Sequence, residues 1–179
     1  MRVLAISGSL RAASINSALL RATARLAPAG IQVHVYPALG TLPLFNPDLE
    51  SDVPPPVTGL RAEVAAADAL LIASPEYAHG VTGSMKNALD WLVSFEPFVY
   101  KPVAVLNSSP RAQHADAALR ETLRTMSAVL IEPACISVPL LGSGLTEDGM
   151  LRSASVAGAI GSALAALQRA ALACSGSSL

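Results

Sequence analysis

The sequence predicts an α/β domain in three layers, with five parallel strands between two layers of helices. Short apolar runs alternate with alanine-rich helical segments along the chain. The runs are continuously apolar, which is typical of strands that are buried on both faces. The 179 residues suffice for one well-buried domain and are too few for two ordinary ones. We therefore expect a single domain over residues 1–174 and a flexible tail at 175–179.

Five strands and five helices account for this pattern. The strands are expected at residues 3–7, 32–36, 69–73, 102–107 and 131–138, and the helices at 16–26, 60–67, 84–95, 116–128 and from about Gly149 onward. Residues 37–57 are rich in Pro, Asn and Asp, so we expect a long surface loop there. In such sheets ligands bind outside the carboxyl ends of the strands, and the residues that follow each strand are therefore the candidates for function.

The composition restricts the possible partners. Hydrophobic residues make up 52% of the chain and charged residues 14%, against about 25% charged in an average globular protein. This argues against disorder and indicates that part of the surface is covered by a partner, which we expect to be another copy of the chain. The net charge is −1 and there is no basic block, so nucleic acid is not expected as a partner.

Cysteine usage and the apolar C-terminal segment are both interpreted as structural. Cys135 and Cys174 form no CxxC pattern, and with three scattered histidines they give no zinc-site spacing. We interpret both as buried small residues; the alternative for Cys135, a redox thiol, lacks a basic neighbour in sequence. Residues 156–174 are apolar but interrupted by Gln168 and Arg169, which favours a packed or oligomer-facing helix over a membrane span. No apolar signal stretch opens the chain, so a cytoplasmic location is expected.

The loop after the first strand has the features of a phosphate site. It is rich in hydroxyl groups and precedes a helix N-terminus, where backbone N–H groups and the helix dipole favour an anion. Ser9, Ser14 and Asn16 add side-chain donors, and Arg11 adds a charge that can bind phosphate through two hydrogen bonds. Leu10 stands where a dinucleotide loop needs its second glycine, and no GK[ST] follows, so neither a dinucleotide loop nor a P-loop is indicated. Helix capping by Ser14 or Asn16 is the alternative, but it does not explain Arg11.

The loop after the third strand favours a flat ring as ligand. It begins Pro75-Glu76-Tyr77 and carries Gly80 and Gly83, which keep its backbone thin and exposed. A planar ring can lie against such a backbone and accept hydrogen bonds from its N–H groups, while Tyr77 offers an aromatic edge or face.

Together the two loops resemble the NADPH-dependent FMN reductase family, whose fold is flavodoxin-like. The matching residues are Gly8-Ser9-Leu10-Arg11 with Ser14 and Asn16, and Pro75-Glu76-Tyr77 with Gly83 and Lys86-Asn87-Ala88-Leu89-Asp90-Trp91. The resemblance implies the strand order 2-1-3-4-5. Members of the family reduce flavins, quinones, chromate or azo compounds with NAD(P)H and are typically homodimers or homotetramers.

The resemblance also implies which residues bind FMN. Ser9, Arg11, Ser14 and Asn16 would hold the phosphate, with Leu10 and Ile15 in the same loop. The residues bordering the isoalloxazine ring would be Pro75, Glu76, Tyr77, Ala78 and Gly80, with Ser108 and Ser109 of the segment 107–111 on its flank. Three positions depart from the family pattern. Ala78 and Thr82 stand where many relatives have Asn and Pro, and Pro110 follows Ser108 and Ser109 where a glycine is common. His79 either replaces the missing amide or is a plain surface residue.

The resulting hypothesis is an FMN-containing oxidoreductase that uses NADPH or NADH. Hydride would pass to FMN and electrons then to a quinone, free flavin, azo compound or chromate, and no metal or catalytic side chain is expected because the flavin carries the chemistry. The alternative is a flavodoxin-like electron carrier without turnover, which the near-neutral charge disfavours. A third possibility is a domain that binds another phosphorylated ligand.

Four residues of the loop after the third strand and the helix that follows it have structural interpretations. Glu76 is assigned a backbone-positioning role and not that of a general base. Trp91 is interpreted as a packing residue in the core or an interface. Lys86 and Asp90 are four residues apart on a helix and form either a surface ion pair or an intersubunit one.

Overall fold

A computed structural model of the chain describes residues 1–176. Its strands are β1 (Arg2–Ser7), β2 (Gln32–Val35), β3 (Ala69–Ala73), β4 (Glu76–Tyr77), β5 (Gly80–Val81), β6 (Pro102–Asn107), β7 (Val129–Leu130) and β8 (Ile136–Ser137). The main sheet is parallel and has the order β2-β1-β3-β6-β7, with β8 also paired to β6. This arrangement confirms the predicted order 2-1-3-4-5.

Six helices cover the sheet. They are α1 (Ile15–Leu26), α2 (Pro55–Ala66), α3 (Gly83–Asp90), α4 (Gln113–Thr125), α5 (Glu147–Arg152) and α6 (Ala154–Gly176). Strand residues alternate between two cores. Leu4, Leu70 and Val103 pack with α2, α3 and α4, whereas Val3 and Leu71 pack with α1, α5 and α6 on the other face. Burial on both faces confirms the three-layer α/β/α prediction.

Several boundaries differ from the sequence-based prediction. Residues 55–57 are helical and not loop, because the prolines at 54–56 are compatible with the start of a helix. The fifth strand is split into β7 and β8 by a 3-10 turn at Glu132–Ala134, where Pro133 has no N–H to donate to the sheet. The C-terminal helical segment begins earlier, at Glu147, and breaks at Ser153, whose backbone is extended. Helix α3 ends at Asp90 and not at residue 95.

The long segment before α2 is ordered by contacts with α3. Asn87 accepts a hydrogen bond from the Phe45 N–H at 2.8 Å, and the indole N–H of Trp91 donates to the Pro43 carbonyl at 2.8 Å. Trp91 is fully buried, so its assignment as a packing residue is confirmed. Glu50 adds an ion pair with Arg61 of α2 at 3.0 Å. The segment is therefore a fixed surface and not a loose loop.

Helix α6 is long and apolar enough to cross a membrane by length and composition alone. Ile160, Leu164 and Leu167 are buried in the core against the sheet, as expected of a packed helix. Cys135 is half-buried, but Cys174 is exposed. The prediction of a buried Cys174 is wrong because the consecutive residues 172–174, near the end of α6, are all exposed. Of the predicted tail, Ser175 and Gly176 have helical backbone, and residues 177–179 lie outside the described part of the chain.

Candidate cofactor site

The loops after β1, β3 and β6 meet at the carboxyl edge of the sheet and enclose a cleft of about 430 Å³. This volume suits a small-molecule ligand. The register explains the meeting, because Ser7 pairs with Ala73 and Ile72 pairs with Val105, so the three strands end side by side. The lining residues are Ser9, Arg11, Ala13, Ser14, Ile15, Asn16, Ser74, Pro75, Glu76, Tyr77, Asn107, Ser108, Ser109, Arg111, Ala112 and Leu141.

The first loop is held by short-range hydrogen bonds at the start of α1. Ser14 is the N-cap residue, and its Oγ accepts from the Ser17 N–H at 3.3 Å. The capping interpretation is thus correct for Ser14, whereas Asn16 has another role. Asn16 is buried, and its Oδ1 accepts a 2.9 Å hydrogen bond from the Ser108 hydroxyl. Asn16 therefore joins the first loop to the loop after β6.

Two arginines line the cleft from different loops. Arg11 belongs to the loop after β1 and Arg111 to the loop after β6, and both are exposed. Neither forms an ion pair with any residue in the range 1–176. The acidic lining residue, Glu76, accepts a hydrogen bond from a backbone N–H of helix α4. The cleft is therefore suited to an anionic ligand.

Gly8 joins the first loop to the loop after β3. Its carbonyl accepts from the Thr82 hydroxyl at 2.7 Å and from the Ser84 hydroxyl at 2.9 Å. A Cβ at Gly8 would lie only 2.3 Å from Ser74 Oγ, so the close approach requires glycine. Thr82, one of the departures from the family pattern, therefore connects the two loops together with Ser84.

Glu76 acts on the start of α4. Its Oε2 accepts a 2.8 Å hydrogen bond from the Ala115 N–H. The N-cap residue of α4 is Ala112, which has no side-chain group to satisfy the first turn. A carboxylate at a helix N-terminus is also favoured by the helix dipole. This contact is the positioning role that we expected of Glu76.

The loop after β3 contains a hairpin that the sequence pattern did not predict. Strands β4 and β5 pair antiparallel, and the turn between them places Ala78 at φ 49° and His79 at φ 59°. Tyr77 is 61% exposed and lies on the lip of the cleft. The His79 ring stacks on His114 of α4, with ring centroids 4.4 Å apart and an interplanar angle of 24°.

Comparison with known proteins places the chain in a family. The family model described as NADPH-dependent FMN reductase matches residues 1–140. The chain belongs to this family. This confirms the predicted class, an FMN- and NAD(P)H-dependent oxidoreductase, over the electron-carrier alternative.

The relatives of the reductase are redox enzymes. The chain is 42% identical over 132 residues to an NAD(P)H-dependent FMN reductase of Pseudomonas aeruginosa, covering 69% of each chain. It is 34% identical over 113 residues to a quinone reductase of Escherichia coli K12, covering 61% of this chain and 60% of the relative. The structure of FerB, a flavoenzyme NAD(P)H:(acceptor) oxidoreductase from Paracoccus denitrificans, superposes with a TM-score of 0.78 at 27% identity, covering 94% and 97% of the two chains.

Most of the predicted cofactor residues of the reductase line the cleft, but three do not. Leu10 is exposed and lies against the long loop, where its Cδ2 would be 3.2 Å from a Cβ at Gly40. Ala78 is at the tip of the hairpin turn and Gly80 lies just past it, so neither reaches the cleft. The family resemblance placed these three positions at the cofactor, but the local fold of each loop directs them away from the cleft.

Sequence reasoning also missed lining residues. Ser74 directly follows the third strand, so the rule that ligands bind after parallel strands was a sufficient signal for it. Ala13 and Ala112 carry no functional group that a motif would reveal. Leu141 comes from the segment after β8, and only the tertiary structure brings it to the cleft.

The donor set of the reductase fits the phosphate of FMN. Besides Arg11, the backbone N–H groups of Ile15 and Asn16 open helix α1 and donate to no other part of the chain within residues 1–176. Such free N–H groups with a nearby guanidinium match a phosphate monoester. Cys135 takes no part, since burial raises the pKa of its thiol and keeps it protonated.

Proposed function

We propose that this chain is a reductase that holds FMN in the cleft and passes electrons from NAD(P)H to quinones. The observation that carries the proposal is the convergence of unpaired Arg11, the free N–H groups at the start of α1 and two ring-bordering loops on one cleft. When bound, FMN supplies the chemistry by accepting a hydride and passing electrons on. The residues of the chain bind and orient it.

The phosphate end of the cofactor would lie on the first loop. Arg11 would donate two hydrogen bonds to phosphate oxygens, and the N–H groups of Ile15 and Asn16 would donate to the same group. Ser9 lines this end and offers its hydroxyl. Asn16 also holds Ser108 in place, so the loops that bind the two ends of FMN are mechanically joined.

The ring end would lie between the loop after β3 and the loop after β6. Pro75, Glu76 and Tyr77 border it on one side, and Ser108 and Ser109 on the other. Tyr77 is exposed where the cleft opens, so a ring bound here would be accessible to both substrates through one opening. Donor and acceptor would then bind in turn, which would give ping-pong kinetics.

Quinones are the favoured acceptors. Relatives with 34% to 43% identity are quinone reductases or quinone oxidoreductases by name, and the lip offers an exposed aromatic ring, Tyr77, against which a planar acceptor can stack. Free flavins, azo compounds and chromate are the other acceptors to be screened.

The proposal also includes the assembly of this chain into a homodimer or homotetramer and its location in the cytoplasm. Several large apolar side chains are exposed on the ordered long loop and beyond α3, among them Leu44, which is 84% exposed, and Phe45, Leu49 and Val93. Apolar side chains gathered on a fixed surface favour association. A mass near 18.3 kDa by light scattering at micromolar concentration would contradict it.

Spectroscopy and turnover test the function. The purified protein is expected to show a flavin absorption spectrum and to release FMN, not FAD, on heating. It should then oxidise NADPH or NADH continuously when a quinone is added. Reduction of bound flavin without sustained turnover would identify an electron carrier, and a protein that binds no flavin after reconstitution would refute the proposal.

A further inference from the structure

The turn of the hairpin 76–81 has a conformation that its own residues do not favour. Ala78 and His79 both adopt left-handed φ angles, 49° and 59°. Two-residue hairpin turns with two positive φ angles are normally built from Asn-Gly or similar pairs, because a Cβ disfavours this region. The paired segments are only two residues long on each side, and a hairpin this short is not stable alone. Something outside the hairpin must hold it.

Helix α4 provides two attachments, both in its first turn. The Glu76 carboxylate accepts from the Ala115 N–H at 2.8 Å at the base of the hairpin. The His79 ring at the tip stacks on His114, with centroids 4.4 Å apart. The two contacts involve adjacent residues of α4, so the hairpin is attached at both ends to one short stretch of helix.

We propose that His114 is a positioning residue for the flavin ring and acts through His79. Its ring does not line the cleft. His114 stacks on His79 and thereby holds the strained turn. The turn then fixes Tyr77 and the backbone of residues 75–77 at the lip of the cleft. This rests on the proposed function, because it assumes that the ring of FMN lies against these residues. It also explains how the chain keeps the hairpin with Ala78 at a position where an amide residue is common in the family.

The test compares His114→Ala with His114→Phe in the reconstituted protein. A phenyl ring retains the flat stacking surface and removes both nitrogens, so it should preserve the function if stacking is what matters. Aromatic stacking of this kind corresponds to roughly a two- to ten-fold change in an equilibrium. We therefore expect His114→Ala to weaken FMN by about that factor and to reduce the visible circular dichroism of bound flavin, while His114→Phe stays near wild type.

Two further variants make the result specific. His34 is exposed on β2, away from the cleft, so His34→Ala is the matched control and should change neither readout. Adding Ala78→Gly to His114→Ala should restore flavin affinity, because glycine accepts the left-handed conformation without support.

The outcomes separate this inference from the proposed function. If the wild type binds no flavin, the proposed function fails. If the wild type binds FMN and His114→Ala binds it equally well with an unchanged dichroism spectrum, only the positioning role is overturned. Equal losses in the Ala and Phe variants would also overturn it, since they would indicate a role for the imidazole nitrogens. If His114→Ala does not fold, His79→Ala tests the stack from the hairpin side and should give the same loss.

Discussion

The two loops that line the cleft from β1 and β3 are built in opposite ways. In the first loop, the Ser14 hydroxyl caps a helix N–H only three residues ahead. In the hairpin loop, Glu76 reaches an N–H that is 39 residues away, and His79 stacks on a ring of the same distant helix. The turn that leads into α1 is therefore capped by its own sequence, and the first loop reaches distant residues only through Gly8 and Asn16. The hairpin, in contrast, depends on α4 along its length.

The largest effect is expected from Arg11→Ala in the first loop. A charge-assisted hydrogen bond to phosphate contributes roughly 1.5–3 kcal/mol, so FMN affinity should fall about ten- to a hundred-fold or slightly more. Riboflavin has the same ring and no phosphate, so its affinity should barely change. The FMN-to-riboflavin affinity ratio, measured by fluorescence quenching, isolates the phosphate contact.

Arg111→Ala is the matched control for this prediction. Arg111 is also exposed, unpaired within residues 1–176, and lines the same cleft, but it lies on the loop after β6. We expect it to leave the FMN-to-riboflavin ratio near that of the wild type. An equal drop in the ratio for both variants would mean that the phosphate does not lie on the first loop alone.

Gly8→Ala should disturb both loops at once. The new Cβ would lie 2.3 Å from Ser74 Oγ, and relief of such overpacking typically costs about 1–3 kcal/mol. Denaturant unfolding should show the loss together with weaker FMN binding. Gly59→Ala is the control, because Gly59 is exposed in α2 with no atom near its Cβ position, and alanine should stabilise that helix by about 0.5–1 kcal/mol. If Gly8→Ala left both the free energy of unfolding and the FMN affinity unchanged, the close packing of the two loops would be refuted.

Glu76→Gln tests the dependence of the hairpin on α4. The amide oxygen still reaches the Ala115 N–H, but the charge that favours the helix N-terminus is lost, which should cost about 0.3–1 kcal/mol of unfolding free energy. Glu121→Gln is the comparison, since Glu121 is mostly exposed with its closest ion-pair partner 3.9 Å away, and should change stability less. A larger loss for Glu121→Gln would contradict the capping role of Glu76.

The smallest effect is expected from Ala78→Gly at the hairpin tip, and this substitution should increase the free energy of unfolding. Removal of the Cβ relieves the left-handed conformation at φ 49°, although glycine adds entropy to the unfolded chain, so a net gain of up to about 1 kcal/mol is expected. Ala118→Gly in the exposed middle of α4 should instead destabilise by about 0.5–1 kcal/mol. Thermal unfolding should show a gain in stability for Ala78→Gly and a loss of stability for Ala118→Gly. A loss of stability in both variants would mean that the turn is not strained.

The same contrast separates what sequence reasoning recovered from what it missed. The strand pattern follows from short apolar runs, the order of the sheet was implied by the family resemblance, and both are confirmed in the structure. Most residues that the sequence singled out in the first loop line the cleft. The hairpin was missed because strands of two residues carry no periodicity. Leu10 was assigned to the cleft because its neighbours are there, yet its side chain lies over Gly40. Cys174 was expected to be buried because free cysteines usually are, and the sequence does not show that residues 172–174 of α6, just beyond Ala171, are exposed.

The sequence by itself determined the layers and the edge of the sheet at which a ligand binds, because the burial of continuous apolar runs and the parallel pairing that follows leave few other arrangements. It also determined the local turns of the loop after β1, because hydroxyl groups there accept hydrogen bonds from backbone N–H groups two or three positions away. Only the tertiary structure decided how the hairpin side of the cleft is held. Partners far along the chain fix the positions of Glu76, His79 and Leu141. Those contacts form only when the sheet and helix α4 bring the segments together.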